Sequence, residues 1–308
     1  MKTPSNDMTT RGSTSMAAML PRRLPDPLPT IHPVAEREAD GPLQATYEDT
    51  KRILQVPWMG VVTMAFAHYP RFYATLWQGL RPLYESRQFI EACRRLRTRV
   101  EHHASQLAPS PLVADLLEEG YSHRELEEIR ALIEVFSHGN MPYLLIASQA
   151  RTLMEGLPLS KATEVTPAPT TSPTKTVRLI LMETHHGNSE LQALYRQIRT
   201  TLGLPFVNTD YRALARWPGY FTRAWHDLAP RIDSEAYRAI TQDVHVTALE
   251  LAAELPNPNQ LLPEQLTAAA VQDASHEEVL EVTRLFHYLL PGLVTNVAFF
   301  RAQLLSPE

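Results

Sequence analysis

Asp210 is a carboxylate at a position where a related stretch of the same chain is apolar. It lies in residues 205–218, and the equivalent position of the earlier stretch, residues 56–67, is Val62. Burial raises the pKa of a carboxyl group, because surroundings of low polarity disfavour its charged form. A carboxylate with a raised pKa is suited to act as a general base. A helix N-cap or a solvated helix position is the alternative that the sequence leaves open.

Asn140 is the second residue whose type could serve chemistry. It lies in residues 136–143, and the equivalent position in the later part of the chain is Leu293. An asparagine amide offers both hydrogen-bond donors and an acceptor, so it can hold a water molecule in a fixed orientation. A base together with a group that orients water indicates hydrolysis. A turn asparagine directly after Gly139 is the alternative here.

These equivalences come from an internal repeat. An ungapped shift of 148 positions places residues 43–82 on residues 191–230 with 12 identities. The match resumes, after a small gap, near the end of each half. Positions that serve packing should match in both copies, whereas positions that serve one active site are needed only once. The mismatches at Asp210 and Asn140 therefore mark these two residues as candidates.

The elements that must position these residues are helices. The chain has only 11 glycines but 25 prolines, which suits helices started and stopped by proline more than a doubly wound sheet. Ser122 with Glu125 forms a capping-box pattern ahead of an apolar stripe with helical spacing. Ser275 with Glu278 forms the matching pattern in the second half. Each pattern predicts the start of a helix.

Two further helices are predicted over residues 43–54 and 191–202, each ended by a proline shortly afterwards. Two copies of one helical unit would stack so that each buries what the other exposes. We therefore predict an all-α fold with a pseudo-twofold internal duplication of a helical repeat, joined by a long Pro-rich loop. The predicted segments are a disordered or extended N-terminal arm at 1–40, repeat 1 at 41–155, the Pro-rich linker at 156–188 and repeat 2 at 189–308.

The composition excludes several classes of function. The 308 residues carry 29 basic and 34 acidic side chains, with a net charge of −5, which argues against nucleic acid as a partner. The single cysteine, Cys93, excludes an internal disulfide and a Cys-rich zinc site. Adjacent histidines at 102–103 and 185–186 point in different directions on a helix and rarely share a metal. Without a glycine-rich phosphate loop, we expect no metal and no cofactor.

The hydropathy of the chain bears on its location. No apolar run approaches the roughly 18 residues of a membrane span. The N-terminus also lacks the apolar core of a secretory signal. We therefore expect a soluble, cytoplasmic protein that does not bind membranes.

Three stretches of the chain together resemble the group I 2-haloacid dehalogenases, the DehI family. They are residues 47–58, 138–146 and 209–220, and the resemblance extends over about residues 35–305. It implies an all-helical pseudo-dimer with one active site between its repeats, often assembled as a homodimer. Members hydrolyse D and L 2-haloalkanoic acids to 2-hydroxy acids and release halide.

The resemblance also implies roles for individual residues. Asp210 would activate a water molecule that attacks Cα of the haloacid directly and inverts that centre, and Asn140 would help to hold the water. Tyr143 and Trp58 would line the pocket. The reaction needs an apolar cradle for the departing halide as well, and we expect Phe206 in its wall.

The chain departs from the family pattern in the pocket wall. Val61 stands where characterised members can carry phenylalanine, and Asn208 and Thr209 stand where alanine and a small residue are common. These differences reshape the pocket and leave the base in place. Two other functions stay open: a hydrolase for another small carboxylate, and a non-catalytic helical ligand-binding protein. The sequence also leaves open whether the aspartate activates water or attacks the substrate itself.

Overall fold

The computed structural model describes residues 16–168, 178–183, 185 and 188–305. Over these residues the chain is helical and has no β-strand beyond one isolated bridge pair, so the predicted all-α class is confirmed. None of the described helices is long and apolar enough to cross a membrane. In chain order the helices are α1 (Met16–Met19), a 3-10 helix (Glu36–Glu38), α2 (Gly41–Leu54), α3 (Val61–Phe66), α4 (Pro70–Tyr84), α5 (Arg87–Ser105), α6 (Val113–Glu118), α7 (His123–Met154), α8 (Ser189–Leu202), α9 (Thr209–Leu214), α10 (Pro218–Ile232), α11 (Glu235–Glu254), α12 (Pro263–Ala270) and α13 (His276–Gln303).

Helix lengths recur in the same order in the two halves of the chain. Helices α2 and α8 have 14 residues each, α3 and α9 have 6 each, and α4 and α10 have 15 each. The long helices α7 and α13 have 32 and 28 residues. The helices predicted over residues 43–54 and 191–202 are confirmed as α2 and α8. This order is consistent with the internal duplication, which stays a prediction.

The long helices α7 and α13 pack against each other at the centre of the fold. Every residue from 139 to 154 of α7 is buried, and so is every residue from 289 to 300 of α13. Most residues in these parts are apolar or small, and they lie on all faces instead of along one stripe, which is the pattern of a helix surrounded by protein. Ser122 and Ser275 cap the two helices as predicted, each accepting a hydrogen bond from the backbone N–H three residues later.

Two short helices bring the asymmetric residues to this centre. Helix α3 begins after Gly60 and packs on α7 and α13, while α9 begins after Asn208 and packs on α7. Asp210 is the second residue of α9, and Val62 is the second residue of α3. The start of each short helix therefore faces the buried part of α7, which carries Asn140.

The described part of the N-terminal arm lies against the helical body. Leu20 is buried, and its carbonyl accepts a hydrogen bond from Nε2 of His245 at 2.7 Å. Nε of Arg22 donates to the carbonyl of Tyr288 at 3.0 Å. These contacts join an otherwise extended segment to α11 and α13. Residues 1–15, which belong to the predicted arm, lie outside the described part of the chain.

The predicted Pro-rich linker is described in part. Its first portion follows the surface of the body, where the backbone N–H of Arg87 donates to the carbonyl of Thr166 at 2.8 Å. Nearby, the N–H of Asn257 donates to the carbonyl of Ala162 at 2.7 Å. The remaining linker positions, 169–177, 184, 186 and 187, lie outside the described residues.

Gly139 lets α7 approach the segment before α3 closely. Glycine inside a helix is unfavourable by itself, so its presence needs a reason in the packing. A Cβ at this position would overlap the indole of Trp58 and would lie 2.8 Å from Cγ1 of Val56. Gly292, which the repeat aligns with Gly139, has more room, since a Cβ there would lie 3.3 Å from the hydroxyl of Tyr237.

Replacing Gly139 by alanine should lower the free energy of unfolding by about 1–3 kcal/mol, because the buried indole must move to make room. Gly292→Ala is the matched control, since it is the same change in the partner helix. There the gain in helix propensity, about 1 kcal/mol, offsets mild crowding. Urea unfolding of both variants measures the difference, and equal losses of stability would contradict this account of the Trp58 packing.

Candidate active site

One cavity between α3, α7, α9 and α13 is lined by seven of the residues that the sequence assigns to the site. These are Trp58, Val61, Asn140, Tyr143, Asn208, Thr209 and Asp210. The sequence did not single out six other lining residues, which are Gly60, Val62, Phe286, Leu289, Leu290 and Leu293. Four of these six belong to α13 and share the apolar type of the core, so no signal in the sequence separates them from ordinary packing residues.

Asp210 and Asn140 are in direct contact in this cavity. Nδ2 of Asn140 donates a hydrogen bond to Oδ1 of Asp210 at 2.6 Å, and both residues are 3% exposed. Asn140 lies inside α7, so the alternative that places it in a turn is wrong. Asp210 lies in the first turn of α9 and Asn208 occupies the N-cap, so Asp210 is neither a cap nor a solvated residue. Two residues 70 positions apart thus form one polar pair.

The positions that the repeat aligns with this pair also line the cavity. Val62 aligns with Asp210 and Leu293 aligns with Asn140. The cavity therefore has one polar pair and one apolar pair at equivalent positions of the two halves. Such a division gives the site a hydrophilic side for water and a hydrophobic side for an apolar group.

Burial sets the protonation of Asp210. Removal of the carboxylate from water raises the pKa of Asp210 from 3.8 to about 6, because the charged form loses its hydration. Hydrogen bonds from Asn140 and from the backbone N–H of Asp210 itself act in the opposite direction, as does the positive charge of Arg212. At neutral pH the group is mostly ionised. It can therefore accept a proton, and its pKa lies close to the range that favours general-base catalysis.

Aromatic rings form the wall beside the polar pair. Trp58 packs edge-on against Phe136 and Tyr143, with ring centroids 5.0 and 6.0 Å apart. The hydroxyl of Tyr143 donates to the carbonyl of Trp58 at 2.8 Å, which fixes the chain just before α3. A Cβ on Gly60 would lie 2.9 Å from the ring of Tyr143. This close packing holds the start of α3 against α7.

The expectation that Phe206 contributes to this wall is wrong. Phe206 lies in the turn between α8 and α9, where it is half-buried against the core. The next residues, from Asn208 onward, are the ones that face the cavity. Phe286, from α13, supplies an aromatic ring to the cavity lining instead.

The cavity is small in this structure. Its volume is about 20 Å³, which is room for about one water molecule. Val61 is half-buried, and the other lining residues are buried. A molecule with five or more heavy atoms enters only if part of the wall moves.

Comparisons with known proteins identify the family of the chain. The family described as "Halocarboxylic acid dehydrogenase DehI" matches residues 57–204. An "(R)-2-haloacid dehalogenase" of Rhizobium sp. (strain NHG3) is 44% identical over 249 residues, which cover 80% of this chain and 97% of that protein. A second "(R)-2-haloacid dehalogenase", of Pseudomonas putida, is 34% identical over 307 residues, covering 95% of this chain and 98% of that protein.

A solved structure of a D-2-haloacid dehalogenase is similar to this chain in fold as well. The complex of a D-2-haloacid dehalogenase with L-LA superposes with a TM-score of 0.84 at 33% sequence identity, and it covers 93% of this chain and 99% of that one. The resemblance first noted in three stretches of sequence therefore extends over nearly the whole fold. The chain belongs to the DehI family and is a 2-haloacid dehalogenase, a hydrolase acting on carbon–halide bonds.

Proposed function

We propose that the protein hydrolyses small 2-haloalkanoic acids to 2-hydroxy acids, with inversion at Cα, through a water molecule that Asp210 deprotonates. The observation that carries this proposal is the direct contact of Asp210 with Asn140 in a small cavity lined largely by apolar residues. A carboxylate with a pKa of about 6 supplies the base. The amide beside it supplies the group that orients the water.

The chemical step proceeds in one displacement. Asp210 takes a proton from the water while the water oxygen forms a bond to Cα of the haloacid. The carbon–halide bond breaks at the same time, and the halide leaves with its electron pair. Attack from the side opposite the halide inverts the centre. The small cavity holds the reacting groups close together and keeps other water away.

Backbone amides are the groups that we assign to the substrate carboxylate. Gly60, before α3, has no side chain that could cap the helix, and Asn208, before α9, makes no side-chain hydrogen bond to the first turn, where the N–H of Asp210 donates to its own carboxylate. Unsatisfied N–H groups at a helix start favour anions. The halide then faces the apolar wall of Trp58, Val62 and Phe286, where it leaves without competing for these donors.

The names of the relatives favour the (R) enantiomer. Both relatives named above are (R)-2-haloacid dehalogenases, so we propose that this chain prefers (R) substrates, within the broader expectation of D and L acids. The small cavity favours short acids. The homodimer and the cytoplasmic location expected from the sequence belong to this proposal, and they rest on the resemblance and on the composition.

Asp210→Asn should reduce chloride release from (R)-2-chloropropionate by about 10²–10⁴-fold or more, because asparagine cannot take the proton. Chloride release from both enantiomers measures this, and the wild-type protein should act faster on the (R) form. Asp115→Asn, at an exposed position of α6, is the matched control and should keep full activity. Near-normal turnover by Asp210→Asn would reject Asp210 as base or nucleophile.

The fold of the Asp210→Asn protein should persist, which separates lost chemistry from lost structure. The folded pKa of Asp210, about 6, lies above the ordinary value of 3.8, so stability falls as the pH rises between these values. The loss amounts to about 3 kcal/mol above pH 6, and asparagine avoids it. The melting temperature of the variant at pH 8 should therefore equal or exceed that of the wild-type protein.

The pH dependence of catalysis should report the ionisation of Asp210. Because the base must be unprotonated, kcat/KM should rise with pH through about 6 and become constant above it. Below that pH the rate should fall about tenfold per pH unit, and the haloacid contributes nothing because it is ionised throughout this range. Initial rates of chloride release between pH 5 and 8 test this. A flat profile would show that the cavity does not hold the carboxylate at this pKa.

A labelling experiment distinguishes water activation from attack by Asp210 itself. In a single turnover with enzyme in excess in ¹⁸O-water, the label should enter the 2-hydroxy acid directly. The peptide that contains Asp210 should stay unlabelled, because the carboxylate never forms a bond to carbon. Mass spectrometry of product and peptide gives both readings. Label retained in the carboxylate after product release would overturn the direct route.

A further inference from the structure

A second cavity lies beside the candidate active site. Its volume is about 270 Å³, which is enough for a small organic acid. Asn208, Leu289 and Leu293 line both this cavity and the active-site cavity. The lining also includes Asp233 and Arg238, which are exposed. The second cavity, here called the antechamber, therefore leads from the surface to the side chains that it shares with the active-site cavity.

Arg22 is the half-buried charged residue among the described residues that line the antechamber, whereas Asp233 and Arg238 are exposed. Arg22 comes from the N-terminal arm. Its Nε donates to the carbonyl of Tyr288 at 3.0 Å, and its guanidinium lies 4.5 Å from the centre of the Tyr288 ring. Among the described residues no carboxylate forms an ion pair with it. The terminal nitrogens of Arg22 are thus not neutralised by the part of the protein described.

Other arginines in protected positions are paired. Arg97 lies 2.7 Å from a carboxylate oxygen of Glu101, and Arg212 lies 2.6 Å from one of Glu183. A cation that loses water without gaining an opposite charge destabilises the fold. Binding of an anionic ligand offsets this destabilisation. Arg22 therefore differs from these arginines in a way that points to a ligand.

The wall next to Arg22 leaves room for that ligand. Gly292 lines the antechamber, and a Cβ built there would lie 3.6 Å from Nη2 of Arg22 and 3.3 Å from the hydroxyl of Tyr237. The absence of a side chain at this position keeps the space in front of Nη2 open. Arg238 adds positive charge at the exposed end, and Asp233 is the acidic residue in the lining.

We propose that the antechamber binds the carboxylate of the 2-haloacid through Arg22 before the substrate passes Asn208, Leu289 and Leu293 into the active site. This inference rests on the function proposed above and adds a binding site for a small monocarboxylate. It agrees with the sizes of the two cavities, since the active-site cavity holds about one water in this structure. Among the described residues that line the active-site cavity, where Val61 is the half-buried one, none is cationic, so the antechamber is the side suited to an anion.

Arg22→Gln tests this role. Loss of a charge-assisted hydrogen bond should lower kcat/KM for (R)-2-chloropropionate about 10–100-fold, chiefly through KM, while kcat stays nearly constant because the reacting groups are untouched. Arg22→Lys keeps the charge but not the planar set of guanidinium donors, so its kcat/KM should lie between those of the wild-type protein and Arg22→Gln. Arg23→Gln is the matched control, since it removes the same charge from the adjacent, exposed residue, which lines a different cleft.

Equilibrium binding separates this proposal from the proposed function. Calorimetric titration with propionate, which cannot react, should show weaker binding to Arg22→Gln than to the wild-type protein or to Arg23→Gln. Neutral propionamide should not distinguish the variants. Propionate binding that depends on Arg22 in a protein that releases no halide would support the antechamber and reject the catalytic proposal.

The opposite results would overturn the role of Arg22. Unchanged KM and unchanged propionate affinity in Arg22→Gln and Arg22→Lys, with halide release intact, would show that Arg22 does not bind the substrate. A fall in kcat with unchanged KM would assign it a purely structural part. Urea unfolding of each variant confirms that the arm still packs on the body, and Arg22→Lys provides the folded comparison if the glutamine variant is unstable.

Discussion

The hydrogen bond between Asn140 and Asp210 holds the two polar residues of the candidate site together. It joins the middle of a long buried helix to the first turn of a very short one, across 70 residues of sequence. Helix α9 begins beside the cavity, so the carboxylate in its first turn projects into it. Gly139 also lets α7 approach the segment before α3 closely, because a residue without a Cβ leaves room for the indole of Trp58.

Two opposing effects set the pKa of the Asp210 carboxylate. Burial raises the pKa of Asp210, while the amide of Asn140 and the charge of Arg212 restrain that rise. Without restraint, a buried carboxyl group would be protonated at neutral pH and could not act as a base. With full hydration, it would be ionised but too weak a base to be useful. A small apolar cavity with one amide partner therefore gives a pKa between these limits.

The sequence predicted the parts of this site that differ between the two halves of the chain. Asp210 and Asn140 were identifiable because a polar side chain stands where the other half carries an apolar one, and the helix starts at Ser122 and Ser275 because capping patterns are local. The lining residues from α13 could not be identified from the sequence, since leucine and phenylalanine there resemble ordinary core residues. Phe206 was misplaced because alignment with Trp58 gives no direction for a side chain in a turn.

The electrostatics of an anionic substrate explain why a cation outside the catalytic pair is useful. A haloacid carboxylate that enters the cavity approaches the ionised Asp210, and two like charges in a medium of low polarity repel strongly. Helix-start amides reduce this repulsion only once the substrate is in place. Arg22 lines the antechamber, which we place earlier on the route of the anion. The N-terminal arm, which is Pro-rich in sequence, thereby contributes the positive charge of Arg22 to the antechamber.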